Sequence, residues 1–340
     1  VAGRAGFVDA LVASPLGVTL MAVLEAGHDR DAGWTSSSTR TSPAGVAAAV
    51  DAVESMRFGV FVDAALYAAV VHAGPWIGDA PDTVANAYRH AEARAPIAEA
   101  IAGRFGDIVH APVDLDGQQW WMVGSAWLES RAPLFRQFDL VYGAGQFTID
   151  GLWTVSDPPE EAYEGLAGSW EYETGPVRRV SLPVRSTARV FEIDRPEDWA
   201  RLVSEHPREG APHPEWELPG VNQRVGTLSS LLSVPNQRAA RASIGRHLVP
   251  DWRSVAERYD GVHLSWAGFI TSEGCITDVG GDSVTMLRYW FSERTLWLAD
   301  VFGEPALLPD PAVDLSHRNR EGSPPTVKGV RETLDHLLGR

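Results

Sequence analysis

The hydrophobic pattern changes period near Gly106, and that switch constrains the fold more than any other feature of this 340-residue chain. Before it, apolar residues recur at a spacing near 3.6, the repeat of one helix face. Beyond it they alternate with period 2 and become aromatic and β-branched, which is the texture of strands. All but Trp34 and Trp76 of the 13 tryptophans lie at or beyond Trp120. The expectation is an α+β fold in which an N-terminal helical domain is followed by a mixed, largely antiparallel β-sheet domain with flanking helices. The boundaries read as 1–106 for the helical domain, 107–305 for the α+β domain, and 306–340 for a C-terminal extension with a short helix from Val327 to Leu338. A chain of this length exceeds the usual size of a single core, which agrees with two domains.

Within the helical part, Ser14-Pro15 and Ser42-Pro43 each set a capping hydroxyl before a proline at the first helical position. Val46, Val50 and Val53 then share a face, and Phe58 to His72 is apolar nearly all round, as a helix at the centre of a bundle would be. Pro81–Arg94 and Pro96–Phe105 continue the pattern, with Pro96 forcing a break. Strands are expected at 107–113, 118–128, 138–142 and 146–155 as a meander punctuated by DLDG and YGAG, and later at 177–184 and 188–193. Helices are expected at 160–167, at 196–206 with Asp194 as N-cap, at 235–247 and at 250–259. Strands follow near 261–270, 284–290 and 295–302. The aperiodic stretch 207–224 reads as a lid or an insert.

Composition narrows the function. A net charge of −16 argues against bulk nucleic acid as a ligand, because phosphate-backbone binding draws on clustered lysine and arginine. Lys328 is the sole lysine among 29 basic residues, a codon signature of a GC-rich genome that carries no functional weight. Cys275 is the only cysteine, so no internal disulfide and no cysteine-only metal site is possible. No apolar run of membrane-spanning length and no signal-peptide pattern is present, so a cytoplasmic protein without a membrane partner is expected. Asp278 and Asp282 around a Gly-Gly turn, and His206 and His213 with nearby acids, lack a fixed ligand spacing, so no metal is expected.

Chemistry-bearing residues concentrate in 259–302, where His263, Ser265, Trp266, Arg288, Trp290, Glu293, Arg294 and Trp297 interrupt apolar strands. Aromatic walls with a few polar groups are what a small-molecule pocket requires. Alternation puts His263 and Ser265 on one face of their strand. In the strand from Ala188 to Ile193, Arg189 shares a face with Phe191 and Ile193, where a guanidinium would meet an anion such as a phosphate. The alternative roles are a structural histidine, a solvent-facing edge arginine and core-packing tryptophans.

A strand with Arg189 followed by a helix, then the GVHLS strand at 261–265, then a closing strand preceded by Glu293, resembles the core of the ADP-ribosyltransferase superfamily over about residues 177–302. The resemblance implies NAD as a substrate and a small molecule or protein as acceptor. It implies that Glu293 is the catalytic carboxylate, that His263 acts in catalysis beside it, and that His263 and Ser265 contact the nicotinamide ribose. Arg189 would hold the pyrophosphate or ribose, and Trp266, Trp290 and Trp297 would stack on the nicotinamide. A glycoside-acting or sugar-binding protein with a tryptophan-lined cleft, and a non-catalytic interaction protein, are the other readings of the same residues.

Overall fold

The computed structural model describes residues 2–29, 33–34, 40–69, 80–123, 152–159, 177–210, 246–281, 283–287, 290 and 292–309. The fold is mixed α+β, with helices first and three small mixed or antiparallel sheets after them. The helical layer comprises α1 (Ala2–Ala13), α2 (Pro15–Ala26), a two-residue hairpin of β1 (His28–Asp29) and β2 (Gly33–Trp34), α3 (Pro43–Ser55), α4 (Phe58–Tyr67), α5 (Ala80–Arg89) and α6 (Ala95–Val109). The sheet region follows as β3 (Gln119–Val123), β4 (Leu152–Thr154), β5 (Val177–Ser181), β6 (Val190–Ile193), α7 (Pro196–Glu205), β7 (Pro207–Glu209), β8 (Arg246–Pro250), α8 (Trp252–Arg258), β9 (Gly261–Leu264), α9 (Trp266–Ser272), β10 (Ile276–Gly280), β11 (Ser283–Met286), β12 (Arg294–Trp297) and β13 (Ala306–Leu307).

Both expected serine caps form. Ser14 Oγ accepts the Gly17 N–H and Ser42 Oγ accepts the Gly45 N–H, each at 3.0 Å, satisfying donors that the first helical turn leaves unpaired. Helix α2 is buried over most of its length and lies at the centre of the helical layer, where Glu25 near its end ties two other helices to it. Its carboxylate accepts from Arg94 Nε (2.6 Å), Thr41 Oγ1 (2.6 Å) and the Ser42 N–H (3.0 Å). Burial opposes ionisation there, but the Thr41 and Arg94 hydrogen bonds hold the Glu25 carboxyl below its ordinary value.

Several element expectations are corrected. Residues 107–109 continue α6 instead of opening a strand, because Ile97, Ile101, Phe105 and Val109 fall on one helical face and are all buried. The strand expected over 261–270 stops at Leu264. Ser265 then caps α9 by accepting the Gly268 N–H, and helix takes over. Residues 246 and 247, expected to end a helix, belong to β8, which is drawn into a sheet by parallel pairing with β11 and antiparallel pairing with β7. The strand β10 was not anticipated; it forms a hairpin with β11 across Gly280 and Gly281, both at positive φ. In that turn Asp278 Oδ1 accepts the Gly280 N–H. Asp194 was expected to cap α7, yet the N-cap position is held by Arg195 without a side-chain bond, and Asp194 is engaged elsewhere. The stretch 207–224, expected as an aperiodic lid or insert, begins as strand β7, which pairs with β8. Its remainder from residue 211 onward, the expected elements at 138–142, 160–167 and 327–338, His213, Asp282 and Arg288 lie outside the described residues.

The sheet that positions the site has the strand order β4-β12-β9-β6, with β9 parallel to β6 and antiparallel to β12. Its register aligns Phe191, Val262 and Leu296 across the sheet and, one residue on, Glu192, His263, Thr295 and Thr154. Because side chains alternate, these two rows point to opposite faces. The Phe191 face packs into the large core shared with the helical layer, through Phe191, Ile193, Val262, Leu264 and Leu296. The opposite face supplies Leu152 and Trp297 to a smaller core with Val180, Leu182, Val184 and Phe302. Gly261 belongs to that face, and a side chain there would strike the Trp297 ring, 2.7 Å from where its Cβ would sit. Two apolar layers therefore sandwich a sheet whose second face also carries a polar row.

Helical layer and sheets share one continuous core. Ser14 Oγ donates to the Ile270 carbonyl at 3.1 Å, and Phe58 of α4 meets Trp266 of α9 edge-on with ring centroids 6.4 Å apart. Among the described residues, no single helix is long and apolar enough to cross a membrane.

Candidate active site

The polar row begins with register. Glu192 on β6 and His263 on β9 are paired residues of adjacent parallel strands, so their side chains rise from the same face as neighbours. His263 Nδ1 lies 2.5 Å from Glu192 Oε2, and His263 Nε2 lies 2.9 Å from Glu293 Oε1. Glu293 reaches this face because it precedes β12 in the alternation that also puts Thr295 and Trp297 there. Carboxylate oxygens only accept, so both ring nitrogens of His263 carry protons and the ring is an imidazolium.

The electrostatics agree. Burial by itself pushes the His263 pKa down, but the hydrogen bonds and charges of Glu192 and Glu293 outweigh it and lift it to about 9. Two carboxylates around one imidazolium leave one net negative charge. Its accessible part is Glu192, whose side chain is 38% exposed, against 5% for Glu293 and 1% for His263.

Each end of the row is fixed by further donors. Glu293 accepts from the Ser156 hydroxyl at 2.8 Å and from the Ser156 N–H at 3.2 Å and 3.3 Å. Ser156 Oγ in turn accepts from Gln118 Nε2 at 3.1 Å. Gln118 Oε1 accepts from the Thr154 hydroxyl, which accepts the Trp297 indole N–H at 2.7 Å. At the other end Glu192 Oε1 accepts the Val113 N–H at 3.1 Å. A carboxylate has about four acceptor positions, so this leaves Glu192 capacity toward solvent.

A second polar pairing repeats the first one step along the same strands. Asp194 follows Glu192 by two residues and Ser265 follows His263 by two, and the Ser265 hydroxyl donates to Asp194 Oδ1 at 2.6 Å. Asp194 Oδ2 lies 2.6 Å from Nδ1 of His110, the residue that ends α6. Burial raises the Asp194 pKa, yet the hydrogen bonds from His110 and Ser265 hold it below its ordinary value. Both pairings sit toward the carboxyl ends of the parallel strands β6 and β9, the end at which open α/β sheets bind ligands.

The residues singled out from the sequence thus divide. Glu293 and His263 are in direct contact, whereas Ser265, two residues beyond His263, bonds Asp194 in the separate pairing with His110. Arg189 sits elsewhere: it precedes β6, falls in the Phe191 alternation and is 55% exposed, with Nε and Nη2 on the two carboxylate oxygens of Asp260 at 3.3 and 3.2 Å. Trp266 packs in the large core against Phe58 and Phe269. Trp290 is buried edge-on to Trp153, with ring centroids 4.9 Å apart. Trp297 is buried against Phe302 and over Gly261.

Glu192, Asp194, His110 and Ser156 were not singled out as site residues by the sequence reasoning. The available signal was the matched spacing of Glu192-Ile193-Asp194 and His263-Leu264-Ser265 on two strands, which pairs only once the strands are in register. Among the described residues, no group of three or more His, Cys, Asp or Glu side chains is placed to hold a metal ion. No family model matches the sequence, and no curated protein or solved structure matches the chain.

Proposed function

We propose that the Glu192 end of this row is the working end of an enzyme that transfers an ADP-ribosyl group from NAD to a small-molecule or protein acceptor. The observation that carries this is His263 held as an imidazolium between Glu192 and Glu293, with only Glu192 open to solvent. Breaking the N-glycosidic bond of NAD builds positive charge on the ribose C1′ and ring oxygen. A preorganised carboxylate beside that charge stabilises the transition state more than the ground state. Glu192 fills that role. His263 stands behind it, bonded to Glu192 on one side and to Glu293 on the other, and fixes its orientation. This gives Glu293 a positioning role, in place of the role of catalytic carboxylate that the family resemblance implies. Arg189, in its pair with Asp260, is not part of this site.

The test is nicotinamide release from NAD by the wild-type protein, followed by chromatography. Glu192→Gln should lower the rate by about 10²–10³-fold, the usual loss when one preorganised electrostatic group is removed, while near-UV circular dichroism stays native. A wild-type protein that releases no nicotinamide and whose melting temperature is indifferent to NAD would sink the proposal.

A second reading has its own support. The burial of His263, Glu293, Trp266, Trp290 and Trp297 suits a non-catalytic interaction protein in which the row is an internal ion network. NAD indifference in the same experiment would favour it. The glycoside-acting alternative draws little support, because the imidazole fills the space between Glu192 and Glu293, where a sugar or water would have to sit.

A further inference from the structure

The row from Glu192 to Glu293 holds a charge but offers no base for an incoming nucleophile. His110, bonded to Asp194 two residues along the chain from Glu192, has one. Its Nδ1 faces a carboxylate oxygen that can only accept, and in the tautomer that donates from Nδ1 the lone pair lies on Nε2. Among the described residues Nε2 has no hydrogen-bond partner, and the side chains of His110 and Asp194 are 31% and 37% exposed. Phe7 meets the ring edge-on at 4.8 Å and fixes its tilt.

The groups around the pair are few. Ser265 donates to Asp194 from the start of α9, and Asp198 of α7 accepts the Asp194 N–H at 3.1 Å. Arg195 acts on Asp194 through its charge. Glu192 lies two residues before Asp194 along the edge strand β6 and its continuation, so the residue that holds the base and the charge-bearing carboxylate lie on one edge of the sheet.

We infer that His110 is the general base of the transfer, with Asp194 as its positioning residue, and that the acceptor is a hydroxyl. This rests on the reading of Glu192 given above. His110 Nε2 takes the O–H proton as the acceptor oxygen forms its bond to ribose C1′. The C1′–N bond breaks, and its electron pair returns to the ring nitrogen of nicotinamide, cancelling the pyridinium charge. The imidazolium then releases the proton to solvent. A hydroxyl is a weak nucleophile until its proton is taken as the new bond forms, and that is the service a positioned base such as His110 supplies.

The experiment supplies NAD to the wild type in water alone and with an added polyol, following nicotinamide release across pH 5–9 and identifying products by mass spectrometry. Free ADP-ribose identifies water as the acceptor and an ADP-ribosyl polyol identifies a hydroxyl compound; either supports the inference. His110→Gln should lower the rate by about 10²–10⁴-fold and abolish the acid limb of the pH–rate profile. Asp194→Asn should displace that limb, and wild-type activity without any acid limb would overturn the inference whether or not the variants fold. A folded His110→Gln protein with the wild-type rate and profile overturns it too, and leaves Glu192 standing. A wild type inert toward NAD overturns both at once.

Discussion

His263 is the residue on which most of the site depends, and its protonation has a consequence for stability. Its folded pKa of about 9 lies above its ordinary value of 6.5, so the stabilisation is fully present below 6.5 and is lost as pH rises through 9. His247 behaves oppositely. Burial lowers its pKa to about 4, so its contribution is present above 6.5 and is lost as pH falls toward 4. Urea unfolding followed from pH 4 to 10 should therefore show greatest stability near neutrality, and His263→Gln should remove the loss between pH 6.5 and 9. At pH 7, Glu293→Gln leaves a buried imidazolium with one carboxylate in place of two. The expected destabilisation approaches the roughly 3–5 kcal/mol that breaking a buried ion pair costs, measured by the shift in urea midpoint. An unchanged midpoint would mean that the row is not ionised as its geometry requires.

At the scale of elements, α9 is the piece that ties the site to the rest of the fold. Its first turn is capped by the same Ser265 hydroxyl that donates to Asp194, and Gly268 brings its backbone against the end of β6. A Cβ on Gly268 would lie 2.2 Å from the Ile193 carbonyl oxygen, which the strand cannot move without losing the Ser265 N–H bond of 3.1 Å to that same oxygen. Gly268→Ala is expected to cost about 1–3 kcal/mol, as overpacking does in a filled core, and to shift Asp194 and His110 with it. A thermal melt within a degree of the wild type would show that α9 can slide. Legibility from sequence differed by element. The serine caps at Ser14 and Ser42 were readable because cap chemistry is local. The end of β9 was not, although Ser265 caps α9 by the same local chemistry, because GVHLSWAGF continues an apolar run on both sides of that serine.

For the whole molecule, the shared core predicts one unfolding transition. Trp266 lies where α9 meets the helical layer, packed by Phe58 on one side and Phe269 on its own helix. Trp266→Ala should remove about 3–5 kcal/mol, and tryptophan fluorescence and far-UV circular dichroism should still melt together. Two separated transitions would show instead that the helices and sheets fold independently. By itself the sequence determined the α+β class, the placing of helices ahead of the sheets and the caps that begin α2 and α3, because period and capping act over a few residues. It also marked His263, Ser265 and Glu293 as unusual in apolar strands. Only the tertiary structure decided that His263 meets Glu192 and Glu293, 71 and 30 residues away, and that Arg189 turns to Asp260 on the other side of the sheet. Strand pairing is a long-range choice in which one step of register moves every side chain to the opposite face, and no local pattern carries that information.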